Sequence, residues 1–207
     1  MTNPVLTMII PVIMKKSILL AVLPALLAVS SAKAVDTYAF DKVHSNLGFE
    51  VRHLFSKIPG KFADFTGQIQ YDEGNPEQSS VEVKIDAKSI TTSDDRRDAD
   101  LKSPNFFDVA KYPQITFKSK TVKKTGDGKF DVTGDFTMHG VTKEVVLKVE
   151  LLGKGPGPKE GTAVSGWEAT TAIKRSDYGL TWNKVIEGTQ VVGDDVTIDL
   201  KVEGDKK

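Results

Sequence analysis

Residues 46–202 read as a succession of short segments in which apolar and polar side chains alternate with a period of two. Leu47, Phe49 and Val51 share one face while Glu50 and Arg52 share the other; Phe65, Gly67, Ile69 and Tyr71 oppose Thr66, Gln68 and Gln70. Val81, Val83, Ile85 and Ala87 continue the rule. It recurs in Ile115/Phe117, Phe130/Val132/Gly134/Phe136/Met138, Val145/Leu147/Val149/Leu151, Trp167/Ala169/Thr171/Ile173 and Val196/Ile198/Leu200/Val202. A two-residue period puts one side of each segment in a core and the other in water, which predicts antiparallel strands. Between them stand "DEGNPEQSS", "KKTGDGK", "MHGVTK", "GKGPGPKEG" and "VGDD", clusters of Gly, Pro, Asn and Asp that favour hairpin turns. With an opening strand around "TYAFDKV", about eight to ten strands are predicted. Helical turns are expected only within "DDRRDADLKS" and "NFFDVAK", near residues 94–110.

Strands with one apolar face close on themselves either as a sandwich or as an up-and-down barrel. The inward sets mix large residues (Phe65, Ile69, Phe117, Phe136, Trp167) with very small ones (Ala63, Gly67, Ala87, Gly134, Ala169). Large and small side chains also mesh in any dense core, so the mixture alone leaves both solutions open. A barrel of about eight strands has an interior just wide enough for one ligand, and small inward residues would enlarge it. The reading favours a single antiparallel barrel with a cavity.

The first 34 residues break the pattern. From Met14 the chain reads "MKKSILLAVLPALLAVSSAKA": two lysines, an apolar run from Ile18 to Val29, then small residues ending Ala32-Lys33-Ala34. These are the parts of a secretory signal peptide. The run is short of the roughly 20 residues that cross a bilayer, and Pro24 interrupts it. A signal peptide over residues 1–34, a natural start at Met14 and cleavage after Ala34 are expected, with residues 35–207 as one domain. The leader holds three of the 28 basic residues and none of the 28 acidic ones, so residues 35–207 are net acidic by three. No basic stripe exists to neutralise phosphates, so no nucleic-acid partner is expected. The chain has no cysteine, which excludes a disulfide frame and a lipid-modified cysteine. The periplasm is the expected compartment, with secretion second.

Catalytic signals are sparse. There is no G-x-S-x-G elbow, and "GDGK" (Gly126 to Lys129) is too short to cradle phosphate. His44, His53 and His139 could in principle make a three-histidine zinc site, but each sits in a turn-like or strand-end context. Asp94, Asp95, Asp98 and Asp100 lack the ligand order and glycine of a calcium loop and read as a helix cap with salt bridges. "RSDYGL" (Arg175 to Leu180) reads as a strand-ending turn, with Asp177 capping and Gly179 supplying an unusual dihedral. No catalytic residue, no metal and no cofactor are expected. That leaves Phe106 and Phe107, an aromatic pair in a connection flanked by Pro104 and Pro113. They either plug the end of the barrel as core or gate the entrance to an apolar cavity, since barrel mouths are favoured ligand sites.

Several segments, in order, are similar to one family: "FDKVHSNLGFEVRHLFSKIPGKFADFTGQI" (Phe40 to Ile69), "IDAKSITTSDDRRDADLKSPNFFDVAKYPQITFKS" (Ile85 to Ser119), "GDFTMHGVTKEVVL" (Gly134 to Leu147), "IKRSDYGLTW" (Ile173 to Trp182) and the final "VGDDVTIDL". The chain resembles the YceI-like polyisoprenoid-binding family of exported bacterial proteins. The resemblance implies a lipocalin-like barrel whose hydrophobic tunnel holds an isoprenoid tail, in carriers or stores of polyprenyl lipids or quinones rather than enzymes. Many members have histidine where this chain has Asp100, which argues against a mouth histidine holding a head group here. The physics agrees with such a ligand: about 400 Å² of buried hydrocarbon corresponds to about 10 kcal/mol before association costs.

The expected tunnel wall is Phe49, Val51, Phe65, Ile69, Phe117, Phe136, Trp167 and Ile173. Phe106 and Phe107 are expected at the mouth, with Arg97 or Lys102 near a polar head group. The expected partner is an isoprenoid lipid or quinone, delivered through transient contact with a membrane surface, to a monomer or homodimer. The alternative is an exported, stress-related structural or interaction protein with a packed barrel and no ligand.

Overall fold

The structure, a computed structural model, describes residues 35–186 and 188–207. The expectations for residues 1–34 (signal peptide, start and cleavage) fall outside the described residues. The strands are β1 (Asp36–Phe40), β2 (Asn46–His53), β3 (Ser56–Phe62), β4 (Phe65–Tyr71), β5 (Ser80–Asp86), β6 (Ile90–Thr91), β7 (Gln114–Gly126), β8 (Lys129–Met138), β9 (Val141–Pro156), β10 (Ala163–Lys174), β11 (Val185–Ile186), β12 (Thr189–Gln190) and β13 (Val192–Lys206). A single α-helix, α1 (Asp95–Lys102), and three short 3-10 turns lie among the described residues, the helix in the region where helical turns are expected.

Strands run antiparallel in the order β1, β4, β5, β7, β8, β9, β10, β13, and β13 pairs back to β1, closing an eight-stranded barrel. Closure leaves these strands no free edge, the usual solution for strands with one apolar face. The opening hairpin is bent. β1 and β2 form one interrupted strand along β13, from Tyr38 opposite Lys206 to His53 opposite Val192. β3 and β4 form the interrupted return strand, Phe62 facing Leu47 and Gln68 facing Ala39. At the break, Ser45 Oγ accepts from Glu203 N (3.0 Å) and Asp41 N donates to Glu203 O (2.9 Å).

β3 is a strand the alternation did not predict, because Pro59 and Gly60 interrupt its sequence. Pro59 is tolerated because β3 is paired along its length only with β2; on its other side just Lys61 and Phe62 pair, with β6. Gly60 gives way to the Phe49 ring, which occupies the place a Cβ would take.

The barrel has two distinct ends. One, the hairpin end, carries the β4–β5, β7–β8 and β9–β10 turns. The other, the helix end, carries the β2–β3 tip, α1 with the segment after it, the β8–β9 turn and the Arg175–Val191 connection. One core cluster, including Tyr38, Tyr71, Phe130 and Trp167, fills the wall toward the hairpin end. A second gathers Ala87, Ile115, Met138, Ile173, Tyr178 and Leu180 toward the helix end.

Candidate functional site

An apolar cavity of about 210 Å³ runs inside the barrel. Pro76 and Ser79 line it at the hairpin end, Leu101 and Phe106 at the helix end. Ile115 and Val122 of β7 both line it, and at about 3.3 Å per residue they are ~23 Å apart along the strand, or ~17 Å along the axis of a tilted barrel. So modest a volume over that length makes a narrow tube, lined almost wholly by carbon. Trp167 shows how: its Nε1–H donates to Ser165 Oγ (2.8 Å), which satisfies its one polar group.

Of the predicted wall, Phe49, Val51, Ile69, Phe117, Phe136, Trp167 and Ile173 line the tube. Phe65 does not. It is buried with its edge against Phe40 (centroids 6.4 Å apart), and the Phe40 ring takes the inward place. Two of the small inward residues, Gly67 and Gly134, act differently from expectation. A Cβ on Gly67 would strike Phe40 Cδ2 (2.5 Å), and one on Gly134 would strike Phe117 Cζ (2.6 Å). These glycines receive neighbouring rings, so they shape the tube's wall instead of widening it. Leu47, Val83, Val132, Leu147 and Val202 also line it; their apolar alternation was visible, but alternation does not say which inward residues border empty space.

Phe106 and Phe107 line the helix end of the tube. Ser103 closes α1, and the chain turns back on it: Phe107 N–H donates to Leu101 O (2.9 Å) and Val109 N–H to Lys102 O (3.2 Å), with Asp108 at φ 44°. This reversal brings Leu101 and both phenylalanines to the barrel. Phe106 is buried under Trp182 (centroids 5.1 Å, tilted 44°), while Phe107 meets Phe62 edge-on (5.9 Å) and Phe62 meets Phe49 (5.7 Å). Asp100 holds the approach, accepting from Asn105 Nδ2 (3.0 Å). Trp182, the cover on Phe106, was not foreseen; it lies far along the chain in a segment without alternation.

Arg97 and Lys102, expected beside a head group, are not in the tube's lining. Arg97 Nε donates to Thr92 Oγ1 (2.7 Å) and Nη2 to Thr92 O (2.9 Å), which ties α1 to the strand before it. Asp98 is buried in the same knot, accepting from Thr92 N (2.8 Å) and Thr92 Oγ1 (2.6 Å). Burial alone would raise its carboxyl pKa, but these hydrogen bonds and that from Thr91, with the Lys102 charge, outweigh burial and hold it below the ordinary value. Asp94 caps α1, accepting from Arg97 N (2.9 Å), as the acidic cluster predicts.

The cation that does border the tube is Arg175. It is buried, and its guanidinium donates to four carbonyls: Gly193 O (2.8 Å), Leu180 O (2.5 Å), Trp182 O (2.8 Å) and Val192 O (3.4 Å). Burial pushes its pKa down, with the Asp194 charge opposing. It is therefore a structural hub that fastens the Trp182 segment to β13. The turn it opens has Gly179 at φ 77°, as expected, but Asp177 does not cap it: Asp177 pairs with Lys143 (3.1 Å), and Asp194 accepts from Ser176 N (3.0 Å) instead.

The three histidines lie apart. His53 is at the β2–β3 tip, and His139 packs on Tyr112 while its Nδ1–H donates to Tyr178 O (3.0 Å). His44 sits in the β1–β2 break, its Nδ1 2.5 Å from Asp41 Oδ2 and 3.7 Å from Glu203 Oε1, on the outside of the barrel.

Residues 38–204 match the profile of the YceI-like domain. The chain belongs to the YceI-like domain family. Among its relatives, Protein YceI of Salmonella arizonae is 40% identical over 171 residues, covering 81% of this chain and 88% of that protein. The Campylobacter jejuni YCEI protein is 34% identical, with a TM-score of 0.66 over 81% of this chain and 96% of that one. A polyisoprenoid binding domain from Saccharophagus degradans, implicated in plant cell wall breakdown, is 16% identical with a TM-score of 0.60, over 82% of this chain and 98% of that one, and so shares the fold. The C. jejuni protein and the S. degradans domain thus share the barrel fold of this chain.

Proposed function

We propose that this YceI-like protein is a periplasmic binder, store or carrier of an amphiphilic isoprenoid, a polyprenyl lipid or polyprenyl quinone, and not an enzyme. The observation that carries the reading is the tube itself: long, narrow and bordered by carbon, a shape that fits a linear, methyl-bearing chain of isoprene units better than a compact ring. Burial of apolar area at roughly 25 cal/mol per Å² supplies the affinity without any catalytic group. The Arg175 guanidinium on the wall is held by backbone carbonyls, which supports recognition of a head group outside the tube. The polyisoprenoid binding described for the S. degradans domain supports the same reading by likeness of fold.

The test is extraction of the protein purified gently from the cell envelope, followed by mass spectrometry, beside an Ala169→Phe variant. Ala169 lines the tube, and a ring there fills it. A polyprenyl species in the wild type, at about one per chain, and its loss from the variant are expected, with the β-sheet circular dichroism unchanged. A wild-type extract free of isoprenoid would sink the proposal and favour the packed, ligand-free barrel.

A further inference from the structure

Two hairpins at the helix end expose large apolar side chains, one of them on its turn. The β2–β3 tip is Leu54-Phe55; Phe55 is 95% exposed, and Leu54 sits at φ 50°, a left-handed conformation that glycine or asparagine adopts with less strain. In the neighbouring β11–β12 hairpin, Val185 is 61% and Ile186 45% exposed, and Trp182, just before it, is 38% exposed. The two tips are fastened together: Leu54 N–H donates to Val191 O (2.8 Å), Val191 N–H to Lys184 O (2.9 Å), and Arg52 Nη1 to Leu54 O (2.9 Å) and Gln190 O (3.3 Å). Apolar groups gathered this way on a surface mark an interaction site.

We propose that these tips dock the helix end onto a phospholipid bilayer, which is where the barrel exchanges its ligand. The proposal rests on the isoprenoid-binding reading above. Three features select a bilayer as the occupant. Phe55 stands on a turn, and Val185 and Ile186 on a two-stranded hairpin separate from the barrel sheet, so they can enter an interface without burying the barrel's own strands. Exposed Arg52 and Lys184 flank them and complement anionic head groups, and a half-exposed tryptophan suits the interfacial layer. The patch is also continuous with the tube, because Trp182 covers Phe106, which lines it. Insertion of the tips would draw on the same segment that closes this end.

The protein as purified from the cell envelope is sedimented with vesicles of phosphatidylcholine and phosphatidylglycerol in equal parts. Phe55→Ser and the pair Val185→Ser with Ile186→Ser are compared with Leu152→Ser, which removes a 59% exposed apolar residue near the hairpin end. Each helix-end variant should weaken vesicle binding about tenfold or more, since a buried phenylalanine or valine is worth at least that factor, while Leu152→Ser binds as the wild type does. All variants should keep their co-purified lipid. Wild-type protein that does not sediment with vesicles, or helix-end variants that sediment equally well, overturns the docking inference, including the case in which the tips bind another protein instead. Failure of the underlying reading is separately visible as an isoprenoid-free wild-type extract.

Discussion

At the hairpin end, the described residues with positive φ are glycines, Gly128 at 64° and Gly161 at 78°, and the turns around them are polar. At the helix end, Leu54, Ser93, Asp108 and His139 all take positive φ beside Gly140, Gly179 and Gly188. The helix end also holds the buried guanidinium of Arg175, the buried carboxylate of Asp98 and the Trp182–Phe106 stack. The hairpin end has comparatively exposed devices, such as Lys154 between Glu73 (2.9 Å) and the face of Tyr71. Left-handed non-glycine residues and buried charges each cost stability and persist where surrounding contacts over-determine them. Such spending concentrated at one end of a symmetric-looking barrel teaches that this end was shaped by more than closure, and it coincides with the end where the aromatic pair meets the tube.

The sharpest way to break the comparison is Arg175→Met. Four carbonyls would lose their donor in a buried setting, and a loss of about 3 kcal/mol in urea unfolding is expected, with earlier hydrogen exchange in residues 180–193. A loss under about 1 kcal/mol would show that the helix end does not depend on this hub. A paired substitution sharpens the backbone contrast. Leu54→Gly should raise stability by up to about 1 kcal/mol by relieving the left-handed leucine. Gly128→Ala should lower it by about 1 kcal/mol or more, because φ 64° disfavours a Cβ and that Cβ would meet Leu151 O at 3.2 Å. Equal responses at the two sites would erase the difference.

The smallest effect is acidic. Because the folded Asp98 carboxyl titrates below its ordinary value of 3.8, its contribution is fully present above that value and lost as pH falls through the depressed one. Unfolding midpoints of the wild type should therefore drop further below pH 3.8 than those of Asp98→Asn, whose amide oxygen can accept the same Thr92 donors. Identical acid limbs would remove Asp98 from the devices that anchor α1.

Much of the barrel was written in the period-two alternation. The long strands from β4 onward follow it over most of their length, because a strand with one face in water must alternate wherever it lies; β7 falls out of step at an irregularity between Ser119 and Thr121, beyond which Val122 is the inward residue. β3 escaped, since Pro59 and Gly60 are acceptable only where the neighbouring edge is open and a ring lies over the glycine, and both conditions come from strands distant in sequence. Within the site, the aromatic pair and most wall residues were legible as apolar positions in the right segments. Arg97 and Lys102 were attractive because they are charged and close to Phe106 along the chain. Folding turns them toward Thr92 and Asp98 and brings Arg175, some seventy residues on, to the wall.

The sequence by itself determined the fold class, the apolar character of the interior and the aromatic marking of one connection, since each follows from local spacing and side-chain chemistry. The tertiary structure alone decided which inward residues border open space, which cation lies beside them, and that Trp182 covers Phe106. Those outcomes depend on how rings, glycines and carbonyls from distant strands meet, and packing of that kind leaves no periodic trace along a chain.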